Sequence, residues 1–387
     1  MKRFFAALLA ALTLFSLTGC GKTEPPTEEP PPPVEAPAPQ EQPPVAEILP
    51  EPEDPIDLKL NSMTVEEKVG QLFFVRVPAE SAVEDVSAYH LGGYILFGRD
   101  TKDKTANDLI QTIAAYQRSA KIPLLIGVDE EGGTVVRVSS NPHLRSKKFA
   151  SPQKLFAQGG MEQIIADTRE KDLLLQALGF NVNLAPVADV SADPGDFIYD
   201  RTLGQDAEAT AEYTAAVTAQ MFADGMGSVL KHFPGYGNNV DTHTGIAVDD
   251  RPLEKFRTSD FLPFASGIEA GEDKTAVLVS HNIMTCVDAE LPASLSPAVH
   301  NLLRTELGFD GVVMTDDLAM DAVAAYAGDG AVALMALQAG NDLIITTDYR
   351  TQIPLVIEAV KSGVLSETAL NTACRRVLVW KQALGLL

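Results

Sequence analysis

Short apolar, β-branched runs alternate with longer stretches of helical periodicity from about residue 56 to the end of the chain. The short runs fall at 71–77, 93–97, 124–129, 182–187, 228–233, 276–281, 311–315 and 342–347. Between them, apolar residues recur at helical spacing over 107–120, 162–178, 207–224, 296–307 and 330–339, and two further helices, 353–362 and 366–384, close the chain. Strand followed by helix, repeated along the chain, is the pattern of a parallel sheet, and eight such strands predict an α/β fold: a closed (β/α)8 TIM-like barrel forming one catalytic domain over 56–387.

The polar residues fall where a barrel places its chemistry. Asp129 ends the third strand, Asp189 follows the fourth, Lys231 and His232 end the fifth, His281 ends the sixth, and Asp316-Asp317 end the seventh, all on the C-terminal rim. A single terminal Asp also serves as a helix N-cap, a role that Asp317 before Leu318-Ala319-Met320 fits, but capping does not account for the whole set. The densest chemistry is the run Lys231-His232-Phe233-Pro234-Gly235-Tyr236-Gly237, followed by Asp241-Thr242-His243. A carboxylate two residues from an imidazole can hold one ring nitrogen while the other exchanges protons, so the Asp-x-His step reads as an acid/base dyad. His232, Asp241 and His243 could alternatively ligate a metal, although a barrel metal site would want further ligands.

Composition narrows the picture. The chain has 387 residues, 45% of them hydrophobic, enough for a sizeable core, and a net charge of −23 that excludes nucleic acid as a partner. Much of the charge is local: residues 23–58 are rich in Glu and Pro and contain no Lys or Arg, so a spacer over 21–55 is expected to be extended and self-repelling. The N-terminus, with Lys2-Arg3 before an apolar stretch too short for a comfortable span, reads as an export signal over residues 1–20. It ends in Leu17-Thr18-Gly19-Cys20, which resembles a bacterial lipobox and implies lipidation of Cys20, an N-terminal membrane anchor and an extracytoplasmic address. Cys286 and Cys374 are expected as two buried thiols.

Five segments together resemble glycoside hydrolase family 3, and occur in that family's order: 127–133 (Gly-Val-Asp-Glu-Glu-Gly-Gly), 185–190, 231–237, the Asp241-Thr242-His243 step and 311–320. The Asp-x-His loop is similar to the family's single-domain β-N-acetylglucosaminidase branch. The resemblance implies that Asp316 is the nucleophile, that His243 held by Asp241 is the acid/base, and that Asp129, Arg137, Arg201, Lys231 and His232 bind the sugar. Tyr236 departs from the histidine that many members carry, and the stretch from Gly237 to Asp241 is shorter than in better-known members. The activity implied is retaining, exo-acting release of terminal N-acetylglucosamine from peptidoglycan-derived or chitin-derived oligosaccharides through a glycosyl-aspartate, with no metal or cofactor. Two other readings stay open: phosphorolysis, because a histidine base repels phosphate less than a carboxylate would, and a non-catalytic sugar-binding lipoprotein.

Overall fold

The computed structural model describes residues 54–239, 247–320, 323, 326 and 330–387. The export signal with Cys20, nearly all of the 21–55 spacer, and Asp241 and His243 lie outside the described residues.

Seven parallel strands form one sheet in the order β1-β2-β3-β4-β5-β7-β9. They are β1 Phe74–Arg76, β2 Gly93–Leu96, β3 Leu125–Val128, β4 Val182–Asn183, β5 Gly227–Phe233, β7 Thr275–Val279 and β9 Val313–Thr315. Two short strands, β6 Val248–Asp249 and β8 Ile283–Met284, pair separately. The barrel strands are buried along nearly their whole length, as expected of parallel strands covered on both faces. Their interior is filled closely. A Cβ on Gly127 would stand 2.4 Å from the Phe74 ring, so only glycine lets that ring cross the barrel at this level.

The ring closes at 343–344. Phe73 bridges to Ile344 and Met314 to Leu343, both parallel, with Phe74 N donating to Ile344 O at 2.9 Å and Ile344 N to Leu72 O at 2.8 Å. The eighth strand expected over 342–347 is therefore reduced to two backbone bridges, but its place in the ring is kept.

The helices form where caps and periodicity direct them. Ser151 before Pro152 starts the helix Pro152–Leu178, Asp206 caps Ala207–Asp224, and Ser366 caps Glu367–Ala383. The first of these is two helices meeting at a kink: Gly159 and Gly160 both leave helical geometry, Gly160 at φ 62°, so a short helix from Pro152 precedes the one expected from 162. Gln71, expected to open the first strand, instead closes the helix Val65–Gln71, which Thr64 and Glu67 start with a reciprocal capping box. The fourth strand stops at Asn183 rather than 187, since Pro186 offers no N–H to the ladder. Cys374 is buried, as expected, whereas Cys286 is exposed in the loop after β8, which corrects the expectation of two buried thiols; both are free. Among the described residues no helix is long and apolar enough to cross a membrane.

Lys381, on the last helix, is wholly buried and donates to Gln71 Oε1 at 2.6 Å, with no carboxylate partner among the described residues. Burial lowers its pKa to about 7. Between that value and the unfolded value of about 10.4 the unfolded chain binds one proton more, so stability rises with pH at up to about 1.4 kcal/mol per unit. Lys381→Met should flatten this rise, as measured by urea unfolding at pH 7.5, 8.5 and 9.5. An unchanged pH slope in the variant would show that Lys381 does not titrate in that window.

Candidate active site

The last ladder steps of β5 deliver the central residues. The β5–β7 register shifts between Leu230 and Phe233, while Lys231 bridges to Val187 on the other side, its carbonyl accepting from Ala188 N at 2.6 Å. This irregularity turns Lys231 and His232 toward the barrel mouth, with Lys231 only 2% and His232 4% exposed. The peptide bonds Lys231–His232 and Phe233–Pro234 are both cis.

A buried cation must be compensated, and here two carboxylates do so. Asp129 Oδ1 and Glu131 Oε1 each lie 2.6 Å from Lys231 Nζ. Arg201 grips Glu131 with two prongs, Nε to Oε2 at 3.0 Å and Nη2 to Oε1 at 2.8 Å. Burial alone would raise the Glu131 pKa, but Arg201 and Lys231 hold it far below the usual carboxylate range. Burial likewise works to lower the pKa of Lys231, and Asp129 and Glu131 overcome it and raise that pKa.

Arg201 Nη2 also lies 3.0 Å from His232 Nε2, and His232 Nδ1 lies 2.7 Å from Asp189 Oδ2. A guanidinium only donates and the carboxylate accepts, so the imidazole carries its proton on Nδ1 and presents a lone pair at Nε2. Asp189 is fully buried and also accepts from the amides of His232 and Tyr236 at 3.1 and 2.7 Å. It thereby fixes both the imidazole and the start of the following loop. The Tyr236 ring packs edge-on against His232, with centroids 5.1 Å apart.

These groups face a cavity of about 310 Å³ that Asp316, Arg76 and Arg137 also line. Asp316 follows β9, its N–H bonded to Val279 O at 3.0 Å, and its Oδ1 accepts from Asp317 N at 2.8 Å. Asp317 Oδ1 accepts from Ala319 N at 3.0 Å, the local capping bond its sequence position implies. Arg76 lies over the Phe97 ring at 4.2 Å. Among the described residues neither Arg76 nor Arg137 forms an ion pair, and the Nε of each is buried without a partner.

The structure thus brings Asp129, Arg137, Arg201, Lys231, His232 and Asp316 to one cavity. His281 and Asp189, expected on the rim, lie behind it: both are fully buried and neither lines the cavity. Sequence reasoning assigned no role to Glu131, which bonds to two cations. Its signal was available, since Asp129-Glu130-Glu131 at a strand end holds more carboxylate than capping requires. Glu130 points the other way and accepts from the amides of Arg137, Val138 and Ser139, shaping the loop that carries Arg137.

A second ionic cluster fixes the stem of the loop after β5. Arg251 donates to both oxygens of Asp249 through Nε at 3.0 and 3.1 Å, to both oxygens of Asp260 through Nη1 at 3.0 and 3.1 Å, and to Gly235 O at 3.2 Å. Asn239 Nδ2 reaches Asp249 Oδ2 at 2.7 Å, tying the residue before the undescribed segment 240–246 to one shortly after it. A Cβ at Gly237, which sits at φ 55°, would stand 2.5 Å from the Arg251 guanidinium carbon.

Residues 64–379 match the glycosyl hydrolase family 3 N terminal domain. A β-hexosaminidase of Xanthomonas campestris pv. campestris is 33% identical over 298 residues, covering 76% of this chain and 87% of that protein. The β-hexosaminidase LpqI of Mycobacterium tuberculosis is 33% identical over 328 residues, 81% of this chain and 82% of that one. Among solved structures, a family 3 β-N-acetylglucosaminidase from Paenibacillus sp. superposes with a TM-score of 0.78 at 32% identity. That superposition covers 84% of this chain and 63% of the larger Paenibacillus chain.

Removing Arg251 would leave Asp249 and Asp260, 3% and 1% exposed, as buried carboxylates without their cation. Arg251→Met is expected to cost about 3–5 kcal/mol, read as a fall in the denaturant midpoint. A loss below about 1 kcal/mol would place the Arg251 cluster with the weak surface pairs.

Proposed function

Because this chain belongs to glycosyl hydrolase family 3, and is accordingly a glycoside hydrolase, we propose that it is a retaining, exo-acting β-N-acetylglucosaminidase that removes terminal N-acetylglucosamine from peptidoglycan-derived or chitin-derived oligosaccharides. The observation that carries this reading is the meeting of Asp316 with Asp129, Lys231, His232, Arg201 and Arg137 in one cavity. The names of the relatives and of the Paenibacillus structure support the N-acetylhexosamine part.

In this reading the ionic network is the floor that receives one terminal sugar. Asp129 accepts from sugar hydroxyls, while Arg137, Arg201, Lys231 and His232 surround the same ring. An oxygen of Asp316 attacks the anomeric carbon, and the departing glycosidic oxygen takes a proton from His243, oriented by Asp241. An imidazole titrates near neutrality without a hydrophobic pocket to tune it, so one group can give that proton and then take one from the water that cleaves the ester. A phosphate acceptor is the second reading, favoured by the guanidinium groups of Arg76 and Arg137, which form no ion pair among the described residues; formation of sugar 1-phosphate on adding inorganic phosphate would single it out.

The catalytic assignment separates by leaving group. Asp316→Asn should remove roughly a thousandfold or more of turnover on every substrate. His243→Ala should cost about a hundredfold on a natural disaccharide and much less on an activated nitrophenyl glycoside, whose leaving group needs little acid. Near-native turnover in the folded Asn variant, or equal losses on both substrates in the Ala variant, would overturn the corresponding role.

For the address, the lipobox-like Leu17-Thr18-Gly19-Cys20 supports an N-terminal lipid anchor on the extracytoplasmic face of the membrane. Cys20→Ala should move the protein from the membrane fraction to a soluble or unprocessed form, as followed by fractionation and immunoblotting. Unchanged attachment would rule the anchor out.

A further inference from the structure

We propose that His281 is a positioning residue for the Asp316 carboxylate, acting through the backbone of Asp317; this rests on the reading of Asp316 as the nucleophile. His281 follows β7, the strand that pairs with β9 through Val279 and Thr315, so it stands beside the strand that delivers Asp316. The imidazole is fully buried and does not line the cavity, so it does not reach the sugar. Its Nε2 lies 3.1 Å from Asp317 O and its Nδ1 lies 2.7 Å from Ser294 Oγ. A carbonyl oxygen only accepts, so Nε2 carries the hydrogen. In the neutral ring Nδ1 then accepts from the Ser294 hydroxyl, and Ser294 is itself fixed, its N–H bonded to Ser280 O at 3.0 Å.

The peptide joining Asp317 to Leu318 is consequently held on both sides, its carbonyl by His281 and its N–H by Ile345 O at 2.9 Å. On the other side of the nucleophile, Asp316 N is bonded to Val279 O at 3.0 Å. The peptide between these two fixed points supplies an N–H that reaches Asp316 Oδ1 at 2.8 Å, so its orientation contributes to where the carboxylate points. Asp317 O also accepts from Met320 N at 3.0 Å and keeps a partner when the imidazole is removed. Loss of His281 therefore relaxes the orientation of this segment without leaving a bare buried carbonyl. In an attack geometry, a displacement of about 1 Å costs on the order of a hundredfold in rate.

The test treats the full chain with 5-fluoro-N-acetylglucosaminyl fluoride. A nucleophile oxygen bonds to the anomeric carbon as the carbon–fluorine bond breaks and fluoride leaves with the electron pair, giving a slowly hydrolysed ester. Fluoride needs little acid assistance, so the trapping rate reports on the nucleophile, and peptide mapping reports where the ester sits. His281→Leu is expected to slow trapping about ten- to a hundredfold, with the inhibition constant for N-acetylglucosamine unchanged. His281→Gln, whose amide N–H can donate from near the Nε2 position, should recover most of the rate. Native trapping in the Leu variant, a parallel loss of sugar binding, or a Gln variant no better than Leu would each overturn the proposal. Should the Leu variant not fold, Ser294→Ala, which removes only the hydroxyl that orients the ring, takes its place: slowed trapping with unchanged sugar binding supports the role, and native trapping overturns it. An ester on a residue other than Asp316 in the unaltered protein would overturn the nucleophile reading itself, a result distinct from native trapping at Asp316 in the variants.

Discussion

One lysine ammonium, taken out of water at the end of β5, is the constraint on which the site is built. Lys231 is 2% exposed, and a charge in that position persists only if anions and hydrogen bonds replace the lost hydration. Asp129 and Glu131 provide that replacement, Glu131 requires Arg201 in turn, and Arg201 reaches His232, which Asp189 holds from behind. Each link satisfies the previous one and creates the need for the next. The result is a polar floor whose members come from β5 and from the segments after β3 and β4, so these three neighbouring strands must pair in register before its charges are compensated. Partial satisfaction of such a network is worse than an apolar core, which makes correct assembly of these strand ends a condition of folding.

The fold was largely legible because its dominant signal is burial, and burial writes itself into the hydrophobic pattern. Where sequence and structure part, a local chemical detail prevailed. The Thr64–Glu67 capping box drew Gln71 into a helix, Pro186 ended a ladder, and two non-helical glycines set an extra short helix ahead of the one expected from 162. The site was legible by position but less so by direction. A strand end says that Asp189 and His281 stand at the rim level, whereas which side of the sheet each faces depends on register and on irregularities such as the shift after Leu230. Glu131 and Asp189 act by holding other residues, and nothing in a one-dimensional pattern distinguishes a carboxylate that binds a sugar from one that binds a lysine.

The two ionic clusters divide the work. The Lys231 network is contiguous with the cavity and sets the sugar-facing groups. The Arg251 cluster lies under the neighbouring loop and pins Gly235, Asn239 and Asp249 within one hydrogen-bonded unit. Gly237 sits so close to the guanidinium that a side chain there would displace it, so loop sequence and cluster geometry constrain each other. Asp189 joins the two halves, since it bonds to His232 on one side and to the Tyr236 amide on the other.

The reduced eighth strand has a consequence for how the molecule comes apart. Closure between β9 and β1 depends on the bridges made by Leu343 and Ile344, and the same stretch accepts from Thr315 and Leu318 on either side of Asp316. Local opening of such a segment costs less than global unfolding. Opening of the ring here would therefore release the residues on either side of Asp316 together with the seam, so closure of the barrel and placement of that carboxylate are one structural condition.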